Sequence, residues 1–109
     1  MKLDFSAIEE TRLEKFNGGE GALEAKMFLS DGNKVLLGHL EPGASIGMHT
    51  HTGTCEMIYV LSGEGRVLCD GAFETLLPGE AHYCPEGHAH SLRNDGAKRL
   101  CFFAVVPKQ

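Results

Sequence analysis

His49, His51, Glu56 and His90 combine residue types and spacings that fit one metal ion. His49 and His51 lie two positions apart in the run Gly47-Met48-His49-Thr50-His51-Thr52-Gly53. In an extended chain, residues i and i+2 share a face, so both imidazoles reach one point from one side. Glu56 follows the turn Thr52-Gly53-Thr54 and heads the apolar run Met57–Leu61. A strand returning beside the first carries its carboxylate toward the same point. His90, in the later segment Pro85-Glu86-Gly87-His88-Ala89-His90, is placed to be the fourth ligand. Three neutral imidazoles and one carboxylate suit a first-row divalent ion: Fe, Mn, Ni, Cu or Zn. The ligand set alone does not choose among them.

The elements that must position these groups read as short strands. Leu23–Leu29 leads through the turn Ser30-Asp31-Gly32-Asn33 into Lys34–Leu40. Glu41-Pro42-Gly43 has Pro and Gly in the order of a type II turn. The ligand-bearing segment comes next, then Arg66–Cys69. Asp70-Gly71 marks a two-residue hairpin leading into Ala72–Leu76. The last run, Arg99–Val106, is apolar at nearly every position. It is expected to be buried on both faces, or on one face with a partner subunit on the other. Many short strands closing around one core imply an all-β jelly-roll barrel. Residues 1–20 form an N-terminal segment, and residues 21–109 are expected to be a single barrel domain. Within the former, Ser6 to Phe16 is read as a short helix, with Ser6 as N-cap and Glu9 three residues later. The alternative is irregular chain, because Ile8 and Phe16 give such a helix only a thin apolar face.

Glycine and proline spacing adds to the four ligands. The first segment runs Gly43, five residues, His49-Thr50-His51, four residues, Glu56, six residues, Gly63. The second runs Gly79, five residues, Pro85, one residue, Gly87, two residues, His90, three residues, Asn94. Both match the paired sequence motifs of the cupin family without departure, including the short stretch Glu64–Pro78 between them. The chain therefore resembles a small single-domain cupin from Gly43 to Asn94. That resemblance implies a jelly-roll (cupin) barrel and a metal held by His49, His51, Glu56 and His90. Such a site, inside an apolar barrel mouth, leaves one or two positions for water, oxygen or substrate. Cupins include dioxygenases, isomerases, decarboxylases, storage proteins and binding domains, so the fold alone does not fix a function. The retained Glu56 argues against the three-histidine pattern of cupin thiol dioxygenases. The expectation is a metal-dependent enzyme acting on a small oxygen-rich or carboxylate-bearing molecule. The alternative is a non-catalytic module for a small sugar or acid, and a third is a purely structural metal.

Proton transfer would fall to His88, His82 or Tyr83, of which His82 and Tyr83 cannot both face inward on one strand. Arg66 and Arg93 are further candidates for a carboxylate, whereas Met48 and Met57 are read as packing. His39 is read as a surface residue. Gly43, Gly63, Gly79 and Gly87 are read as turn residues, and Asn94 as bonding to nearby backbone.

A net charge of -5 with no basic face argues against nucleic acid as a partner. No apolar run approaches the roughly 18 residues of a membrane span. The start Met1-Lys2-Leu3-Asp4-Phe5 lacks the apolar core of a signal peptide, so a cytoplasmic location is expected. Cys55, Cys69, Cys84 and Cys101 contain no Cys-x-x-Cys pair and read as small apolar fillers in a reducing compartment. The apolar C-terminal strand makes a homodimer the expected assembly.

Overall fold

A computed structural model describes residues 1–109 as two facing antiparallel sheets. Ten strands follow in chain order: β1 (Glu10–Glu14), β2 (Ala22–Ser30), β3 (Asn33–Leu40), β4 (Ser45–Thr50) and β5 (Glu56–Ser62). β6 (Gly65–Cys69), β7 (Ala72–Leu76), β8 (Ala81–Cys84), β9 (Ala89–Arg93) and β10 (Leu100–Val106) complete them. One sheet has the order β1-β2-β3-β10-β5-β8 and the other β4-β9-β6-β7. This is the jelly roll that the strand pattern implies. No helix is long and apolar enough to cross a membrane.

Period-two alternation builds the core between the sheets. On β10, Leu100, Phe102, Ala104 and Val106 are buried and the residues between them only half-buried. The nearly continuous apolar run thus resolves into one inward face and one partly covered outer face. Leu36 and Leu40 of β3, Ile58 and Val60 of β5, Val67 of β6 and Leu92 of β9 close on Phe102 in the same cluster. Truncating a buried aromatic of this kind costs about 3–5 kcal/mol.

Turn chemistry fixes the register. Asp31-Gly32 and Asp70-Gly71 each place both central residues at positive φ (50° and 79°, 52° and 78°), the type I′ geometry that suits a tight hairpin. Asn94 is fully buried and bonds to backbone near and far: its Nδ2 donates to the nearby Lys98 carbonyl (2.8 Å) and to the Leu40 carbonyl (2.9 Å), which is distant in sequence.

The Ser6–Phe16 helix does not form. Phe5–Ala7 makes a single 3-10 turn capped by Asp4, and Glu10–Glu14 is strand β1, paired with β2. The reason is the alternation of its side chains: Leu13 packs on the core while Arg12 and Glu14 face out. Arg12 then bridges Glu14 (2.7 Å) and Glu24 on the neighbouring strand (2.6 Å). Lys15 and Asn17, at φ 47° and 53°, end the strand, and Phe16–Gly18 turns across β4. Gly47 permits that crossing, because a Cβ there would lie 2.0 Å from the Asn17 carbonyl oxygen.

Candidate metal centre

The two sheets contribute unequally to the site. β4 pairs with β9 so that His49 lies directly opposite His90, beyond an irregularity in register after Ile46. His51 follows the end of β4, held by its N–H to the His88 carbonyl (3.0 Å) and by the Gly87 N–H to its own carbonyl (2.7 Å). Gly53, at φ 74°, reverses the chain, and Glu56 opens β5 in the opposite sheet. Four donors from three segments therefore converge, as the spacing implies, with all four ligand atoms within 4.8 Å of one another.

Most of this cluster is out of water. His90, Glu56 and His51 are buried, and His49 is partly exposed at the cavity. Glu56 Oε1 lies 2.8 Å from His90 Nε2, 2.9 Å from His51 Nε2 and 3.8 Å from His49 Nε2. His51 Nε2 and His90 Nε2 approach each other to 3.0 Å. Ligand atoms on one ion at 2.0–2.2 Å are about 3.0–3.5 Å apart, so this set is close to coordination spacing.

Hydrogen bonds on the far side of the rings decide which nitrogens bear protons. The Gly47 carbonyl, 2.7 Å from His49 Nδ1, can only accept, so Nδ1 carries the hydrogen and neutral His49 presents a bare Nε2. The Glu74 carboxylate, 3.2 Å from His82 Nδ1, likewise accepts from that nitrogen. Neutral His82 then has a bare Nε2, which accepts from His90 Nδ1 at 3.1 Å. His90 in turn aims a bare Nε2 at Glu56. His51 Nδ1 is engaged by the Thr54 hydroxyl at 3.0 Å. Lone pairs of imidazole and carboxylate face one another, an arrangement that needs a proton or a cation between them. Metal-ligating histidines are held in this way, with the outer ring nitrogen tied down. The residues present fit a divalent transition metal.

The electrostatics agree. Burial by itself would raise the Glu56 pKa, but where a proton rather than a cation fills the gap, hydrogen bonds from the facing nitrogens of His49, His51 and His90 reverse this and hold the carboxyl far below its usual range. Burial opposes charge on His49, yet Glu56 and the Gly47 carbonyl lift its pKa above the ordinary 6.5. His82 moves the other way, its charged form disfavoured by burial and by His90.

The cluster opens onto a cavity of about 150 Å³ between the sheets. Its wall is apolar at Leu36, Ile46, Ile58, Leu92 and Phe102, with Phe16 and Asn17 from the turn that crosses β4. Lys34 is the only ionisable group on that wall besides the four cluster residues. Lys34 and Asn17 were not among the candidates read from the sequence. A signal for Lys34 existed: it shares the inward face of β3 with Leu36, Gly38 and Leu40, a lone cation in an apolar row. Asn17 gave none, since the crossing of β4 by its turn is a tertiary event.

The other candidates lie elsewhere. His82 sits behind His90 rather than on the cavity wall. Tyr83, 57% exposed, points outward. His88 is exposed and paired with Asp70 (2.7 Å). Arg66 stacks over Phe73 with its guanidinium 4.3 Å from the ring centroid, and Arg93 bonds Asp95 (3.1 Å), so neither reaches the cavity. Met48 and Met57 are exposed rather than packed inside. His39 lies on the other sheet's outer side, bonded to Glu24. The four cysteines are free. Cys55 and Cys84 are buried, and burial pushes the Cys84 thiol up to about 12.

Comparison with known proteins gives a consistent picture. The cupin-domain sequence profile matches residues 36–106. An oxalate-binding protein of Thermotoga maritima is 35% identical over 112 residues, spanning 97% of this chain and 93% of that one. The crystal structure of a predicted oxalate decarboxylase, also from Thermotoga maritima, superposes with a TM-score of 0.92 at 30% identity, covering 100% of both chains. A putative sugar phosphate isomerase from Acidithiobacillus ferrooxidans is similar at TM-score 0.72 and 26% identity, over 81% of this chain and 60% of that one. With its fold, both motifs and this profile match in agreement, the chain belongs to the cupin family.

Proposed function

We propose that this cupin holds one divalent transition metal through His49, His51, Glu56 and His90 and uses it to bind a small dicarboxylate of the oxalate class. One observation carries the reading: bare imidazole nitrogens converge on a carboxylate at the floor of a small apolar cavity with one cationic side chain on its wall. A divalent ion beside one carboxylate retains about one positive charge, which favours an anionic oxygen donor. The cavity, about 150 Å³, is well below the roughly 300–1,000 Å³ that takes drug-sized ligands. It suits a molecule of a few heavy atoms. Lys34 is close enough to disfavour the charged form of His49, so it acts on the same small volume. Its ammonium is assigned to the ligand's second carboxylate, and the buried walls strengthen that pairing by excluding water. The names of the two Thermotoga maritima relatives point to the same ligand chemistry.

A bound metal supplies a Lewis-acid anchor for carboxylate oxygens. Conversion of hydrogen oxalate to formate and carbon dioxide would need one proton moved to carbon, and Lys34 is the ionisable wall group available for it. Binding without turnover needs nothing more than the anchor and Lys34. Calorimetric titration of the metal-loaded protein with oxalate, with formate and carbon dioxide assayed on the same samples, separates these two readings. Saturable binding that weakens at least tenfold in Lys34→Met (about 1.4 kcal/mol) supports the proposal. No binding by fully loaded protein removes it.

The assembly is proposed to be a homodimer through the outer face of β5, β8 and β10. Met57, Tyr59, Leu61 and Tyr83 are exposed there, with Met57 paired to Tyr83 across the strands. A monomer by light scattering at micromolar concentration contradicts it. A cytoplasmic location is proposed, supported by four cysteines that are widely spaced in the sequence and include no Cys-x-x-Cys pair.

A further inference from the structure

We infer that Cys69, His82 and Cys84 form a second, thiolate-based metal site, on the side of His90 away from the cavity. Their ligand atoms all lie within 4.8 Å of one another, although Cys69 ends β6 of one sheet and His82 and Cys84 belong to β8 of the other. His82 and Cys84 alternate inward on β8 and are buried, while Cys69 is half-buried at the mouth of the Asp70-Gly71 hairpin. Both cysteines are free. Two sulfurs and a nitrogen on one tetrahedral ion are about 3.5–3.8 Å apart, given bonds of about 2.3 Å to sulfur and 2.0–2.1 Å to nitrogen. With 4.8 Å as the upper bound on these separations, closing the site needs a contraction of at most about 1.3 Å, within reach of small side-chain rotations. Glu74 stands 3.2 Å from His82 Nδ1 and, being exposed, is free to serve as the outer ligand. Two thiolates and an imidazole select a borderline or soft ion, Zn²⁺ or Cu⁺, rather than a hard one. Such an ion would tie the two sheets together.

Occupation has a consequence for the cavity side, which rests on the proposed metal at His90. His82 orients His90 by accepting its Nδ1 hydrogen on a bare Nε2. An ion bound at His82 Nε2 uses that lone pair. An ion bound at Nδ1 leaves the neutral ring's hydrogen on Nε2, which then donates to His90 and transfers its hydrogen to the nitrogen that faces Glu56. In the first case the metal-binding tautomer of His90 loses the acceptor that supports it, and in the second it is reversed. Filling the thiolate site therefore weakens the cavity site, and by linkage the reverse holds equally.

Cobalt(II) titration of the metal-free full-length protein tests this directly. A thiolate-to-cobalt charge-transfer absorption can arise only where sulfur binds, and the cavity cluster contains none. The expected result is a near-ultraviolet band that saturates at one cobalt per chain in His49→Ala/His51→Ala, and that Cys69→Ser abolishes. In the wild-type chain the same band needs roughly 10–100-fold more cobalt, the usual scale for an outer partner's effect on a metal site. No band in either protein at excess cobalt overturns the site. A band that survives Cys69→Ser/Cys84→Ser assigns it to Cys55 or Cys101 and overturns it too. Equal cobalt dependence in the two proteins overturns the antagonism while leaving the site standing.

Discussion

His90 has two unlike sides. Toward the cavity, its Nε2 meets nitrogen and oxygen donors that open onto space for a ligand. Toward the interior, its Nδ1 meets His82, which leads to two thiols and finally to the exposed Glu74. On the two proposals above, the first side offers borderline nitrogen and oxygen donors with open space for a ligand, the second sulfur donors suited to a structural ion. One imidazole cannot satisfy both fully, because a neutral ring has a single hydrogen to place. On this account donor identity selects the ion, while the tautomer imposed from behind decides whether the site can form.

The largest effect that can break this contrast is loss of a cavity ligand. His51→Ala is expected to lower metal affinity by more than the roughly 100-fold upper range for an outer partner, measured by competition with a chelator. Next comes His82→Ala, which leaves all four proposed ligands in place yet is predicted to weaken metal binding by roughly 10–100-fold. An unchanged dissociation constant there would mean that the Glu74–His82–His90 chain does not orient the ring. Gly47→Ala separates ligand from metal. Its new Cβ would collide with the Asn17 carbonyl, displacing the turn that carries Phe16 and Asn17 over the cavity. Overpacking of this kind costs about 1–3 kcal/mol in stability, read as a fall in Tm, and is expected to weaken oxalate binding while metal stoichiometry holds.

Acidification gives the smallest and most graded effect. A ligating imidazole must be neutral, and the raised His49 pKa means that protons begin to compete above the ordinary 6.5. Metal affinity is therefore expected to fall as pH is lowered from 8 toward 6, with the decline starting earlier than for an unperturbed histidine. In metal-free protein the sign for Glu56 is opposite in origin. Its depressed pKa stabilises the fold fully above the ordinary 4.5, and that stability is lost progressively as pH falls from this value toward the depressed one. Replacing Glu56 by Gln should remove the acid-range part of the pH profile, followed by denaturant unfolding between pH 3 and 5.

Much of the cavity side was legible in the chain because its ligands sit at short, regular offsets on strands bounded by turn residues. His49 and His51 share a face through period two, and Gly53 returns the chain for Glu56. The thiol side had no such signature. Cys69 and Cys84 come together only because β6 and β8, in different sheets, approach at the same end of the barrel. Lys34 differs from the thiols: it carried a period-two signal with Leu36, Gly38 and Leu40, whose meaning depended on which face of β3 turns inward. The N-terminal helix failed for a related reason: its capping pattern was sound, but pairing of β1 with β2 and the packing of Leu13 on the core outweighed local propensity.

The most direct measurement is elemental analysis of the Cys69→Ser/Cys84→Ser protein after reconstitution with Zn²⁺ and removal of excess. With the thiol side disabled, one zinc per chain is predicted, falling to none when His49→Ala and His51→Ala are added. A folded Cys69→Ser/Cys84→Ser protein that retains no zinc, or one whose zinc survives loss of both histidines, would contradict a metal centre at His49, His51, Glu56 and His90.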